Sequence, residues 1–348
     1  MSDLDLRQID ARPVDAPPVD CLLVVGFGGP EGPQDVLPFM QNVTRGRGIP
    51  AARLEEVSRH YLDLFGGVSP INQQCRDLVA ALQGELAAHG PELIVYWGNR
   101  NWHPYLADTL AQMWADGRRH ALALVTSAFP SYSGCRQYRE DIAVARPEGG
   151  PIVTKLRHYY AEQGFLAPMR RNVARAAEGL TDPRLVFTAH SIPLSMAHTS
   201  GPAGGAYVEA LRAAAASIAD DRPWDLVFQS RSGPPQVPWL EPDVGDHLAT
   251  LYDKDVRAAV LVPVGFVSDH VEVLYDLDTQ AQERVAAELP GMVVCRAATV
   301  GTAPEFVSML RELVVERMGA AQESADHGGV ATHDRCPVGC CPPPLPRP

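Results

Sequence analysis

Residues 21–29 read CLLVVGFGG, an unbroken apolar run that closes on glycines. A strand buried on both faces of a parallel sheet reads this way, because neither face meets water and the period-two alternation disappears. Working outward, similar runs recur at 92–98 (ELIVYWG), 120–129 (HALALVTSAF), 184–190 (RLVFTAH), 224–230 (WDLVFQS), 256–266 (VRAAVLVPVGF) and 291–297 (GMVVCRA). Between them lie stretches with helical spacing: 72–89, where Leu78, Val79, Leu82 and Leu86 share a face, then 104–117, 207–220, 279–289 and 304–318. Strands alternating with helices of this length form crossover units, so the fold class is α/β with parallel sheets. The plan of strand, loop and helix starts twice, at residue 21 and again near residue 185. Two similar Rossmann-like lobes follow.

The chain has 348 residues, 46% of them hydrophobic. At roughly 150 residues per domain this is material for two domains. The reading divides it into an N-terminal tail (1–19), a first lobe (20–148) joined by the C-terminal helix (304–320), a second lobe (149–303) and a Cys/Pro-rich tail (321–348). The stretch 146–155, with PEGGP inside it, reads as the linker. Thirty Lys and Arg against 42 Asp and Glu give a net charge of -12, which argues against a nucleic-acid partner. The first twenty residues lack the apolar centre of a signal peptide. No window approaches the roughly 18 apolar residues of a membrane span. The expectation is a cytoplasmic protein with no membrane span.

In open parallel sheets, ligands bind beyond the carboxyl ends of the strands. Five such ends carry conspicuous groups. FGGPEG (27–32) is a tight glycine loop without the spacing of a dinucleotide fingerprint. TAHSIP places His190 directly after a strand, where neutral imidazole accepts a proton or binds a metal near pH 7. VGFVSDHVEVLYDLD (264–278) carries Asp269, His270, Glu272, Asp276 and Asp278 into a helix. Asp269 reads as its cap, and Glu272 and Asp276 share a face. FQSRSGPPQVPWLEP (228–242) presents Arg231 and Trp239 on a proline-stiffened loop, and SAFPSYSGCRQYRED (127–141) offers Tyr132, Arg136, Tyr138 and Arg139. A hydrolytic triad, a Walker loop and H-E-x-x-H are all absent. Residue chemistry alone therefore reaches an α/β enzyme with metal chemistry and a flat, acid-bearing ligand.

Taken in order, TAHSIP, VGFVSDHVEVLYDLD and FQSRSGPPQVPWLEP, with FGGVSPIN, NVTRGRG and YWGNRNWHPYLAD, resemble the ferrochelatase family, and within it the actinobacterial coproporphyrin type. The resemblance runs from about residue 20 to 318. It implies two lobes of the periplasmic-binding-protein kind around a porphyrin cleft, and insertion of Fe²⁺ into coproporphyrin III with release of two protons. It assigns His190 and Glu272 as catalytic and metal-facing groups, with His270 beside them and Asp276 and Asp278 on a path for iron. Phe27, Arg45, His60, Tyr61, Ser69, Tyr138, Arg231 and Trp239 become porphyrin contacts. Some relatives carry a metal-ligating tyrosine where Phe27 stands, and phenylalanine has no oxygen to offer. The implied enzyme is a monomer, in transient contact at most with other haem-pathway enzymes. Protoporphyrin IX as substrate, a cobalt or nickel chelatase, and a non-catalytic tetrapyrrole binder stay open.

Three of the seven cysteines, Cys336, Cys340 and Cys341, fall in the last thirteen residues. The resemblance implies a [2Fe–2S] cluster held by these three and one internal cysteine. Cys135 is preferred over Cys21, Cys75 and Cys295, and a zinc site or a redox-labile tail competes with the cluster.

Overall fold

The computed structural model describes residues 6, 9, 16–46, 50–233, 236–319, 336–337 and 339–343. The expected tails at 1–19 and 321–348 lie mostly outside these residues. The chain forms two compact units, Met1–Thr126 with Tyr138–Leu156, and Ser127–Gln137 with Arg157–Pro348.

The first unit is built on a four-stranded parallel sheet in the order β2-β1-β3-β4. Its strands are β1 (Cys21–Gly26), β2 (Ile94–Asn99), β3 (His120–Val125) and β4 (Ile152–Lys155). The apolar runs explain the central places. Every residue of β1 and β3 is buried, as strands covered by helices on both faces must be. Leu23 and Val25 of β1 pack with Leu106, Leu110 and Met113 from the helix Leu106–Ala115.

The second unit repeats the arrangement. Its sheet has the order β6-β5-β7-β8, from β5 (Arg184–His190), β6 (Trp224–Gln229), β7 (Ala258–Val262) and β8 (Val293–Arg296). All pairings are parallel. Val186, Val227, Leu248, Leu261, Val273 and Leu277 form part of its core. The two starts read from the sequence are thus two sheets with equivalent strand order.

Two expectations about domain limits are corrected. The stretch 146–155 is not simply a linker, because Ile152–Lys155 pairs with β3 as the edge strand β4. Four residues beside PEGGP carry too little pattern to register as a strand. The helix Pro304–Gly319 belongs to the second unit, not the first. It packs on the helix Gln163–Ala176, and the buried Arg157 joins them, donating to Glu316 at 2.9 Å and to Glu162 at 2.6 Å. Helices at Pro33–Val43, Ala51–Phe65 and Val244–Asp253 also escaped the sequence pattern. The first carries Pro38 inside it, and the second buries Ser58 alone.

Candidate functional site

In the second unit β5 delivers His190 at its carboxyl end, opposite Gln229 of β6. The following loop is pinned by backbone bonds. Ser191 N–H donates to Gln229 O at 2.8 Å, Leu240 N–H to Ile192 O at 3.0 Å, and Leu194 N–H to Pro238 O at 3.0 Å. The Ser191 hydroxyl donates to Leu240 O at 2.9 Å. His190 Nδ1 lies 2.5 Å from Ser191 O. A carbonyl only accepts, so Nδ1 carries a proton. Nε2 is 3.8 Å from Glu272 Oε2, and Glu272 is half-exposed.

Glu272 reaches this place because the turn after β7 passes close over β5. A Cβ on Gly265 would sit 2.7 Å from Ala189 Cβ and 2.8 Å from Ala189 Cα, so only glycine allows the approach. The turn then leads to His270, whose ring packs edge-on against Phe266 at 5.0 Å. His270 Nδ1 accepts from the Glu272 backbone N–H at 3.2 Å and so caps the helical segment. Asp269 was expected to be the cap. It pairs instead with Arg296 of β8 at 2.9 Å. Burial pushes the His270 imidazole below its ordinary range, against the opposing charge of Glu272, and His270 is neutral at pH 7.

The helix beyond Val271–Val273 winds as a π-helix over Leu274–Gln280, a form common at functional sites. It carries Asp276 inward. Gln229 Nε2 donates to Asp276 Oδ2 and to Glu272 O, both at 3.3 Å, and the Ser230 hydroxyl also donates to Asp276. Ser230 adopts φ 60°, a left-handed conformation that a serine holds only under constraint. Burial pushes the Asp276 carboxyl up to about 6, with the charge of Glu272 adding to it and the Ser230 hydrogen bond opposing. His190, His270, Glu272 and Asp276 therefore form one group. Asp278 does not join it, since Arg296 engages its two oxygens at 2.7 and 2.8 Å. The acidic path expected through Asp276 to Asp278 ends, as a set of unpaired carboxylates, at Asp276.

The remaining expected residues fall in two places. In the second unit the exposed Arg231 donates to Val237 O at 3.2 Å. Trp239 forms an isolated bridge with Pro193. Its indole lies over Gly233, where a Cβ would be 2.4 Å from Nε1, and that buried N–H meets no acceptor among the described residues. In the first unit Phe27 packs edge-on against Phe39 at 6.4 Å, and Phe39 contacts Tyr61 and Trp102 at 6.1 Å each. Arg100 lies 4.3 Å from the Tyr138 ring centroid and 5.9 Å from that of Phe27. Its Nε is 2.5 Å from Asp141 Oδ2. Ser69 is buried, His60 lies on the helix Ala51–Phe65, and Arg45 is exposed just beyond Pro33–Val43.

Sequence reasoning missed Gln229, Ser230, Arg100 and Tyr207. The first two stood inside the quoted FQSRSG loop, and GNRNW follows a strand end just as TAHSIP does. Tyr207, whose hydroxyl donates to His190 O at 2.9 Å, opens a helix after GPAGG and carries no comparable signal.

Among the tail thiols, Cys340 Sγ and Cys341 Sγ are 3.8 Å apart, and the Cys336 thiol also hydrogen-bonds to Cys340. Cys135 is buried in the π-helical turn Tyr132–Arg136. Among the described residues, no group of three or more His, Cys, Asp or Glu side chains is arranged to hold a metal ion. No helix among them is long and apolar enough to cross a membrane.

The fold is shared with solved chelatase structures. CbiX, the terminal enzyme of siroheme biosynthesis in denitrifying bacteria, superposes with a TM-score of 0.51 at 18% identity, over 85% of this chain and 98% of that one. SirB from Bacillus subtilis with Fe³⁺ gives 0.53 at 11% identity, over 86% and 98%. Sequence comparison reaches further. The coproporphyrin III ferrochelatase of Streptomyces coelicolor is 53% identical over 356 aligned positions, covering 94% of each chain. That of Nocardia farcinica is 50% identical, over 92% of this chain and 96% of its own. A protein of Rhodopirellula baltica described as ferrochelatase is 49% identical over 92% of both. The ferrochelatase family pattern itself matches residues 19–318. That span holds both sheets and the group around His190, and the chain belongs to the ferrochelatase family.

Proposed function

We propose that this chain inserts Fe²⁺ into coproporphyrin III, releasing two protons. The observation that carries this reading is His190, held through Nδ1 by the Ser191 carbonyl so that Nε2 faces Glu272. The relatives described as coproporphyrin III ferrochelatases support the choice of porphyrin.

A free-base porphyrin carries two N–H protons at the centre of a planar ring, and Fe²⁺ must shed water to enter. Bending the ring turns the nitrogen lone pairs out of its plane, and binding energy from the peripheral carboxylates drives the bending. His190 Nε2 accepts one proton. Glu272 faces it as an exposed anion that receives the incoming cation or the second proton. Asp276, with a pKa of about 6, takes a proton at physiological pH more readily than an ordinary aspartate and holds it. Neutral His270 adds no charge to repel Fe²⁺. Phe27 and Tyr61 offer aromatic contact to the macrocycle, as do Tyr138 and Trp239. Arg45, His60 and Arg231 serve its carboxylates, and Ser69 supports the Gly29 loop, where a Cβ would approach Ser69 Cβ to 2.7 Å. The enzyme acts in the cytoplasm as a monomer.

The [2Fe–2S] cluster expected from the tail needs four thiolates. Among the described residues Cys340 contacts Cys336 and Cys341, but no group of three or more His, Cys, Asp or Glu side chains is arranged to hold a metal ion, so these residues do not fit a cluster. Insertion as derived through His190, Glu272 and Asp276 needs none of these thiols.

Anaerobic steady-state insertion with coproporphyrin III and with protoporphyrin IX tests the substrate. A kcat/KM at least about tenfold higher for coproporphyrin III is expected, a margin of about 1.4 kcal/mol. Equal values or the reverse order would remove the assignment.

A further inference from the structure

The insertion step derived above uses none of the tail thiols, yet one of them is tied to the loop behind His190. Cys341 is buried and adopts φ 49°, and its Sγ accepts the Gly201 N–H at 3.1 Å. Gly201 has φ 77°, and a Cβ there would lie 2.4 Å from Ala206 Cβ, so this loop has no slack. The adjoining Ser200 is fully buried. Its hydroxyl donates to Ala197 O at 2.6 Å and accepts the Tyr207 N–H at 2.8 Å. Tyr207, on the first turn of Ala206–Ala219, donates its buried hydroxyl to His190 O at 2.9 Å. The next peptide carbonyl, that of Ser191, holds His190 Nδ1. A continuous line of covalent and hydrogen bonds thus runs from the tail thiol to the backbone that aims the imidazole.

We propose that Cys341 and Tyr207 are positioning residues for His190, acting together through the Ser200–Gly201 loop. A buried carbonyl without its donor turns toward another partner. At His190 that rotation carries Ser191 O with it and redirects Nε2. Misplacement of a reacting group lowers the rate of the chemical step more than it weakens binding. Only the kinetic readout rests on the insertion reading, because amide exchange at Gly201 and Tyr207 is independent of it.

The test compares the full-length chain with Cys341→Ala, Cys341→Ser, Tyr207→Phe and the Cys341→Ala/Tyr207→Phe double variant. Amide exchange by mass spectrometry, kcat, both KM values, and iron and acid-labile sulfide content are measured for each. Expected are a fall in kcat of about tenfold for Tyr207→Phe and about threefold or more for Cys341→Ala, with both KM values within about twofold of the parent. The double variant should match Tyr207→Phe alone, since both act on one line. Serine at 341 should restore most of the rate, and Cys341→Ala should speed exchange over 200–207. The proposal falls if exchange over 200–207 is unchanged in Cys341→Ala, or if the two effects on kcat multiply. It also falls if Cys341→Ala loses iron and sulfide while Tyr207→Phe keeps the parental kcat.

Discussion

Replacing Asp276 by asparagine should stabilise the protein near neutral pH while slowing insertion. The carboxyl rises from an ordinary 3.8 to about 6 on folding. Two units correspond to about 3 kcal/mol of extra cost for the ionised form in the folded state. Because the folded carboxyl holds its proton more tightly than the unfolded one, the stability this proton contributes is complete below about pH 4. It is lost as the pH rises through about 6. Asparagine has no charge to desolvate and still accepts from Ser230, though more weakly than a carboxylate does. A net gain of about 1–2 kcal/mol at pH 8 remains after that loss. The assay is urea unfolding of parent and Asp276→Asn from pH 4 to 8. The two midpoints should nearly coincide at pH 4 and separate by about 0.5 M at pH 8, for an m-value of about 3 kcal/mol/M. Insertion should slow by about tenfold, through loss of a proton acceptor. A midpoint gap that stays constant across this range, or that favours the parent at pH 8, would refute burial as the source of the raised pKa.

His190→Ala should abolish insertion while leaving porphyrin affinity within about tenfold of the parent, read by fluorescence titration beside the insertion assay. Gly265→Ala should destabilise by about 1–3 kcal/mol and lower kcat, because the new methyl meets Ala189 and pushes the segment bearing Glu272 away from His190; thermal unfolding and steady-state kinetics check it. Arg296→Met should cost about 2 kcal/mol by leaving Asp269 and Asp278 without their partner. High salt should narrow that difference in urea unfolding.

The double α/β plan was legible because β1, β3 and β5 are buried on both faces and read as apolar runs. β4 was not, since four residues beside a proline–glycine turn carry no comparable pattern. His190, His270 and Glu272 were legible from their place at strand ends and from the motifs around them. Their ring orientations were not, because the turn of the local backbone sets them: Ser191 O, one residue on, engages one imidazole and the Glu272 N–H, two residues on, engages the other. Asp276 and Asp278 looked alike in VLYDLD, two residues apart. Their roles separate only when β8 supplies Arg296 to one and the end of β6 supplies Gln229 and Ser230 to the other. The tail thiols gathered as their spacing suggested. A fourth ligand would have to come from a distant segment, and spacing within the tail carries no information on which.

The most direct measurement mixes the full-length chain anaerobically with coproporphyrin III and Fe²⁺ and follows the Soret and visible bands through a single turnover, with His190→Ala beside it. Conversion to the iron porphyrin by the parent, and a free-base spectrum unchanged over minutes in the variant, is the predicted result. A parent that binds the porphyrin and leaves it metal-free, or a variant that converts it at the parental rate, would contradict metal insertion at His190.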